Sequence, residues 1–225
     1  MQNRARRADS PCSRSEEPPV ARLRVEKLST RGVGAVDLAI DPGECVCLSG
    51  PSGTGKTLLL RALADLDAHQ GEVYLDDSPC RRIQPPEWRR QVGLLPAESQ
   101  WWKDTVGGHF GAVDESAFQR LGFEPGVLSW SVARLSSGER QRLAVLRLLA
   151  NRPKALLLDE PTANLDPVNV KRVEELINDY RRREQAAVLW VSHDAQQIQR
   201  LADRHLRIEN GRLVEQARAS WALSR

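Results

Sequence analysis

Short runs that are apolar on both faces alternate along this chain with longer segments of helical period. Glu44-Cys45-Val46-Cys47-Leu48-Ser49, Val92-Gly93-Leu94-Leu95, Ala155-Leu156-Leu157-Leu158 and Ala187-Val188-Leu189-Trp190-Val191 have the pattern of strands buried in a parallel sheet. Leu23, Val25 and Lys27 alternate against Arg24, Glu26 and Leu28, and residues 36–40 and 71–76 also read as strands. Between these runs lie helix formers. Residues 58–64 make one segment. Residues 140–151 carry Leu143, Leu146, Leu149 and Ala150 on one side and stop at Pro153. Residues 167–184 place Val170, Val173, Leu176, Ile177 and Tyr180 at helical spacing. Residues 85–91 and 194–202 predict shorter helices, and weaker helical signals cover 105–110 and 114–121, the latter capped by Gly122. Asn210-Gly211 between two apolar stretches predicts a hairpin. Strands alternating with helices imply an α/β fold with a mainly parallel sheet covered on both faces.

One loop in this pattern carries chemistry. Gly50-Pro51-Ser52-Gly53-Thr54-Gly55-Lys56-Thr57 fits the phosphate-binding P-loop, G-x-x-x-x-G-K-[ST], and stands between a buried strand and a helix. The glycines let backbone N–H groups converge on phosphate oxygens, and the helix N-terminus adds partial positive charge there. Lys56 supplies a cation for the β- and γ-phosphates, and Thr57 a hydroxyl for Mg²⁺.

Composition narrows the class without naming it. At 225 residues, 40% hydrophobic and 28% charged, the chain suits one globular α/β domain with a small subdomain. The net charge of +3 is too weak an excess to argue for nucleic acid, and none is expected as a partner. No apolar run reaches the roughly 20 residues of a membrane span, so a membrane role must come through a partner. Residues 1–20, rich in Arg, Ser, Pro and Glu, are expected to be a disordered tail; 21–216 form the folded domain, and 217–225 a second tail. No apolar h-region of a signal peptide is present, and Glu16 and Glu17 argue against a transit peptide. Cys45 and Cys47 share one face of a strand. A C-x-C pair can bind metal, but no second ligand pair has zinc spacing, so reduced core cysteines in a reducing compartment are expected.

Three more pieces come later in the chain, in order. The apolar strand before Asp159-Glu160 delivers two carboxylates at its C-terminal end, where ligands of parallel sheets bind. Asp159 suits Mg²⁺, and Glu160 an attacking water. Ser192-His193 ends another sheet strand, where His193 is either near a γ-phosphate or an ordinary loop residue. Leu135-Ser136-Ser137-Gly138-Glu139 opens the strong helix, either as a plain serine-capped start or as an anion site facing a second molecule.

Taken together, the chain resembles the ATPase subunits of ABC transporters from about residue 23 to 214. The resemblance implies a P-loop NTPase cassette with an antiparallel β subdomain and a small helical subdomain near 98–150. Its Walker A segment covers Gly50, Pro51, Ser52, Gly53, Thr54, Gly55, Lys56 and Thr57, with Leu58 next in the helix. Its signature covers Leu135 to Glu139, its Walker B ends in Asp159 and Glu160, its D-loop ends in Asp166, and His193 is its switch histidine. The resemblance also implies an ATPase using ATP and Mg²⁺, with Thr57 and Asp159 as metal ligands and Glu160 and His193 as catalytic residues. A head-to-tail homodimer is implied, with Ser136, Ser137, Gly138 and Glu139 acting in trans. So is a separately encoded integral-membrane permease, which would hold the subunit on the cytoplasmic face of the inner (plasma) membrane.

The departures are as informative. Ser137 stands where the family usually has glycine, and Glu139 where glutamine is frequent. The adenine-stacking aromatic is missing near residues 30–34, so that either Arg31 stacks or the base is held loosely. Ala97 occupies the Q-loop glutamine position, leaving Glu98 as the nearest polar substitute. Trp101 and Trp102 are either packing residues or the lining of a permease groove. The compact size resembles short iron- or metal-efflux cassettes. A non-transport cassette and a nucleotide-binding regulator with little turnover are the competing classes.

Overall fold

Alternate residues of the central strands point into different cores, and that division organises the molecule. The computed structural model describes residues 21–111 and 115–218. The strands are β1 (Leu23–Thr30), β2 (Val33–Ile40), β3 (Cys45–Ser49), β4 (Gln70–Leu75), β5 (Ser78–Pro79), β6 (Val92–Leu95), β7 (Ala155–Asp159), β8 (Ala187–Val191), β9 (Arg204–Glu209) and β10 (Arg212–Glu215). The helices are α1 (Lys56–Leu63), α2 (Pro85–Gln91), α3 (Glu115–Arg120), α4 (Ser137–Ala150), α5 (Pro167–Glu184) and α6 (Ala195–Leu201).

A six-stranded sheet has the order β10-β9-β3-β8-β7-β6. Its strands run parallel from β9 to β6, and β10 is an antiparallel edge. A four-stranded antiparallel sheet has the order β2-β1-β4-β5. From β3, Cys45 and Cys47 enter one core while Val46 and Leu48 enter the other; β7 and β8 split in the same way. The first core gathers Leu143 and Leu146 of α4, Val173, Leu176 and Ile177 of α5, and Ile198 of α6. The second holds Leu59, Leu60 and Leu63 of α1 against the antiparallel sheet, whose contribution includes Leu23, Val25 and Ile40. Strands buried on both faces need no alternation, which is why their runs are continuous. Two-residue pairing of Glu209 with Arg212 closes the expected hairpin over Asn210 and Gly211, both at positive φ.

Two local expectations change. In β1 the regular alternation breaks at Lys27, whose φ is 48°. The register shifts between Val25 and Leu28, so exposed Lys27 leaves the inward face and Leu28 takes its place, fully buried. A bulge adds one residue and flips the remaining side chains. Residues 105–110 form no α-helix: Thr105 bridges Ser131, and only Gly107–His109 make a single 3₁₀ turn. Gly107 lies so close to Leu128 that a Cβ would stand 2.9 Å from its carbonyl oxygen, which leaves room there for glycine alone. The serine-capped start of the strong helix is as expected: Ser136 caps α4, which begins at Ser137.

Cys45, Cys47 and Cys80 are buried free thiols, while Cys12, the expected tail 1–20 and residues 219–225 of the expected tail 217–225 lie outside the described residues. A hydrogen bond with Cys45, followed by burial, pushes the Cys47 thiol well up, and burial pushes Cys80 to about 12. Thiols held protonated in this way are poor nucleophiles and poor metal ligands.

Candidate functional site

The C-terminal ends of the parallel strands converge on the loop between β3 and α1. Gly50, Gly53 and Gly55 have φ of 146°, 81° and 95°. At Gly55 a side chain is excluded twice: by the left-handed backbone, and because a Cβ would lie 2.5 Å from Val33 Cγ2. The loop therefore abuts the Gly32-Val33 backbone that comes after Arg31. Lys56 is buried, and its ammonium donates to the carbonyls of Gly50 at 2.8 Å and Pro51 at 3.0 Å. Burial lowers its pKa, while the Glu160 and Asp159 carboxylates oppose that shift. The cation is thus folded back into the loop, where its partners are neutral carbonyls that an anion would outcompete.

Thr57, in the first turn of α1, donates its hydroxyl to Asp159 Oδ2 at 2.7 Å. Asp159 ends β7 and is buried. Glu160 comes next with a φ of 48°, a strained conformation for a non-glycine residue. It meets the side chain of His193, with Oε1 3.0 Å from Nε2. His193 comes from the loop after β8, where the Ser192 hydroxyl accepts from the Asp194 N–H at 3.0 Å and Asp194 caps α6. Lys56, Thr57, Asp159, Glu160 and His193 are therefore brought to one end of one sheet.

The Ser136 segment lies elsewhere. Gly138, in the first turn of α4, faces the loop before α5, where a Cβ would stand 3.2 Å from Leu165 Cδ2 and 3.4 Å from the Asn164 carbonyl. Ser136 and Glu139 form a capping box. The Ser136 N–H donates to Glu139 Oε2 at 2.8 Å, and its hydroxyl accepts from the Glu139 N–H at 3.2 Å. Burial alone would raise the Glu139 pKa, but the Ser136 donors together with Arg142 and Arg134 hold it below the usual range. The S-x-x-E spacing was visible in the chain, so the sequence carried a signal for this role of Glu139.

A family model described as "ABC transporter" matches residues 33–163. This chain belongs to the ABC transporter family. It is 38% identical over 189 residues to the aliphatic sulfonates import ATP-binding protein SsuB 2 of Pseudomonas syringae pv. syringae, an alignment covering 82% of the chain and 66% of that protein. It is 36% identical to protein STAR1 of Oryza sativa subsp. japonica, over 80% of the chain and 56% of that protein. A further SsuB protein, from Cupriavidus pinatubonensis, is 33% identical over 96% of the chain and 76% of its own length. The chain thus spans under two thirds of the first two relatives. Among solved structures, the dimeric post-hydrolysis ATP-binding cassette MJ0796, bound to ADP and Pi, matches with a TM-score of 0.75 at 22% identity. That match covers 86% of the chain and 97% of the other, and it supports the cassette fold.

Within this ABC transporter fold, the segment after β6 occupies a separate cleft of about 490 Å³. Ala97 and Glu98 line it with Trp101, Ser137, Gln141 and Asn164. Glu98 is exposed there, whereas Glu160 and His193 line a different cleft of about 300 Å³. The two neighbouring tryptophans differ. Trp101 packs half-buried against the first core, while Trp102 is 68% exposed. Arg31 is exposed on the β1–β2 turn. Asp166 caps α5, accepting from the N–H groups of Val168 and Asn169 at 3.0 Å.

Proposed function

We propose that this chain is the ATP-binding and ATP-hydrolysing subunit of an ABC importer, working as a transient homodimer on a separately encoded membrane permease. The observation that carries it is the convergence of Lys56, the Thr57–Asp159 pair and the Glu160–His193 pair at the strand ends. ATP is the substrate. The P-loop N–H groups and Lys56 bind its phosphates, with Pro51, Ser52, Thr54 and Leu58 in the same wall, and the turn bearing Arg31 adjoins the loop where a base would lie. Mg²⁺ suits the hard oxygen donors of Thr57 and Asp159, which already touch. When bound, it would neutralise charge building on the phosphates. Glu160 accepts a proton from the attacking water, and His193 holds the carboxylate in place while facing the same cleft.

Several observations support the partners. Ser136, Ser137 and Gly138 sit beside Asn164 and Leu165, on a face that offers the α4 N-terminus outward to a second copy. Such a copy would bring a phosphate to compete for the Ser136 hydroxyl, with Glu139 repositioned. Among the described residues no helix is long and apolar enough to cross a membrane, and relatives named as ATP-binding proteins of import systems support a separate spanning partner. Residues 21–216 would be the catalytic unit, with 98–150 as the part that meets the permease on the cytoplasmic side of the membrane. The import reading rests on relatives named for aliphatic sulfonate import. The test is Glu160→Gln: turnover should fall about 10²–10⁴-fold while ATP still binds. Native turnover in that variant would remove Glu160 from the reaction.

A further inference from the structure

Beside the Glu160–His193 contact, a second, buried contact joins the loop after β7 to the start of α6. Two residues after Glu160, Thr162 turns its side chain inward, and four residues after His193, Gln197 of α6 does the same; both are buried, Gln197 to 3% exposure. Gln197 Nε2 donates to Thr162 Oγ1 at 2.9 Å and to Glu174 Oε1 at 2.8 Å. Both hydrogens of one amide are thus committed. Glu174, buried on α5, also accepts from Arg200 Nη2 at 2.9 Å and Nε at 3.4 Å. The carboxylate is therefore paired, and its remaining acceptor capacity is met by the amide.

The connected segments are stiff. The Ala163 N–H donates to the Glu160 carbonyl at 3.2 Å and the Leu165 N–H to the Thr162 carbonyl at 3.2 Å, so the loop after β7 is a run of tight turns. On the other side Asp194 caps α6 through the N–H groups of Gln196 and Gln197. Thr162 and Gln197 are thus linked to Glu160 and His193 by short, hydrogen-bonded stretches of chain. Both contacts line the same 300 Å³ cleft, one through the reacting side chains and one through Thr162 and Gln197. A general base must be held within roughly 0.5 Å of its working geometry by groups that are themselves locked.

We infer that Gln197 is a positioning residue for ATP hydrolysis, tying the Glu160 loop to the His193 loop through Thr162 and Glu174. This rests on the hydrolysis proposed above. An amide is the side chain this place requires. It gives one hydrogen to a hydroxyl and one to a carboxylate, whereas glutamate would set two carboxylates together and leucine would leave Thr162 and Glu174 short of a donor.

The experiment compares the native chain with Gln197→Glu, Gln197→Glu combined with Glu174→Gln, and Thr162→Val, which removes only the acceptor at nearly constant shape. Thermal unfolding, ATP affinity by calorimetry, kcat and KM are measured for each, with permease where native turnover requires it. Gln197→Glu should lower kcat about tenfold or more, since small misplacements cost up to 10²-fold, with ATP affinity and KM within about twofold of native. The double variant restores an amide–carboxylate pair with reversed polarity and should regain most of kcat. Thr162→Val should lower kcat about threefold or more without moving KM. Native kcat in folded Gln197→Glu and in Thr162→Val would overturn the inference, as would equal losses in kcat and ATP affinity. If Gln197→Glu does not fold, Thr162→Val decides. Native hydrolysis is the control: its presence upholds the proposed function whatever the variants do, and its absence overturns both.

Discussion

The strand-end site and the segment from residue 98 to 135 are built in opposite ways. At the strand ends, sheet register fixes where the candidate site begins: Asp159 pairs with Val191 across β7 and β8, and Ser49, the last residue before the P-loop, pairs with Arg207 across β3 and β9. Their positions are fixed by ladders buried on both faces, and loops of a few residues carry the chemistry outward. Among its described residues, the other segment has one six-residue helix, α3, and otherwise single 3₁₀ turns. It is held by a bridge from Thr105 to Ser131, by the Val106 N–H on the Trp130 carbonyl at 2.9 Å, and by the Val132 N–H on the Asp104 carbonyl at 2.8 Å. Val106, Phe118 and Leu121 fasten it to the first core.

Its outer end is organised by one histidine. His109 Nε2 accepts from the N–H groups of Trp102 and Lys103, each at 3.0 Å, so the proton sits on Nδ1, which donates to the Thr105 carbonyl at 3.1 Å. The same ring meets Trp101 and Trp102 edge-on at 4.7 and 4.8 Å, and Arg147 of α4 lies over both indoles. Chemistry thus rests on long-range sheet pairing, and the candidate docking end on a few local polar contacts. The second kind of construction opens at lower free energy.

This contrast breaks most decisively at Trp88. The side chain is fully buried under the P-loop core, and its Nε1 donates to the Leu63 carbonyl at 3.0 Å. Trp88→Ala should cost about 3–5 kcal/mol in urea unfolding. A loss below about 1 kcal/mol would mean that this core tolerates cavities as loosely as a surface segment. Next comes Lys56→Ala, which removes a buried cation without a comparable packing loss. ATP affinity should fall by about 2–5 kcal/mol in calorimetry while the melting temperature holds; unchanged affinity would remove the loop from phosphate binding.

His109→Phe keeps an aromatic ring beside the indoles and deletes the acceptor for two N–H groups. Amide exchange at Trp102 and Lys103 should accelerate by about 1–3 kcal/mol of lost protection, with the strands unaffected. Global destabilisation instead would join this segment to the sheet as one cooperative unit. The smallest effect is expected at Trp102→Ala, within about 0.5 kcal/mol in stability because the ring is exposed. Weaker permease binding in that variant, with ATP turnover by the chain alone unchanged, would sharpen the division between docking and chemistry. Glu98→Ala tests the neighbouring wall. Glu98 lines the cleft with Ser137 rather than the one with Glu160, so turnover by the chain alone should remain near native in a coupled phosphate assay.

The legible parts of the chain share a physical property. Strands buried on both faces show as apolar runs, helices against a core show a 3.6-residue period, and a P-loop needs glycine where backbone and ligand crowd. Those signals are local in sequence, and they set the α/β class, the strand positions in the parallel sheet and the carboxylate pair at the end of β7. The bulge at Lys27 and the turn at Gly107 depended on neighbours: Asp37, which accepts from the Lys27 N–H at 2.9 Å, and Leu128.

Pairings between distant residues were decided only in three dimensions. Nothing in the spacing of Thr57 and Asp159, Glu160 and His193, or Thr162, Glu174 and Gln197 foretells a hydrogen bond, because each pair is joined by sheet order and helix packing rather than by chain proximity. The sequence determined which chemical groups stand at the ends of which strands. The tertiary structure decided which of them touch, since contact depends on strand order, β3 between β8 and β9 and β7 beside β8, and that order is a property of the packed sheet.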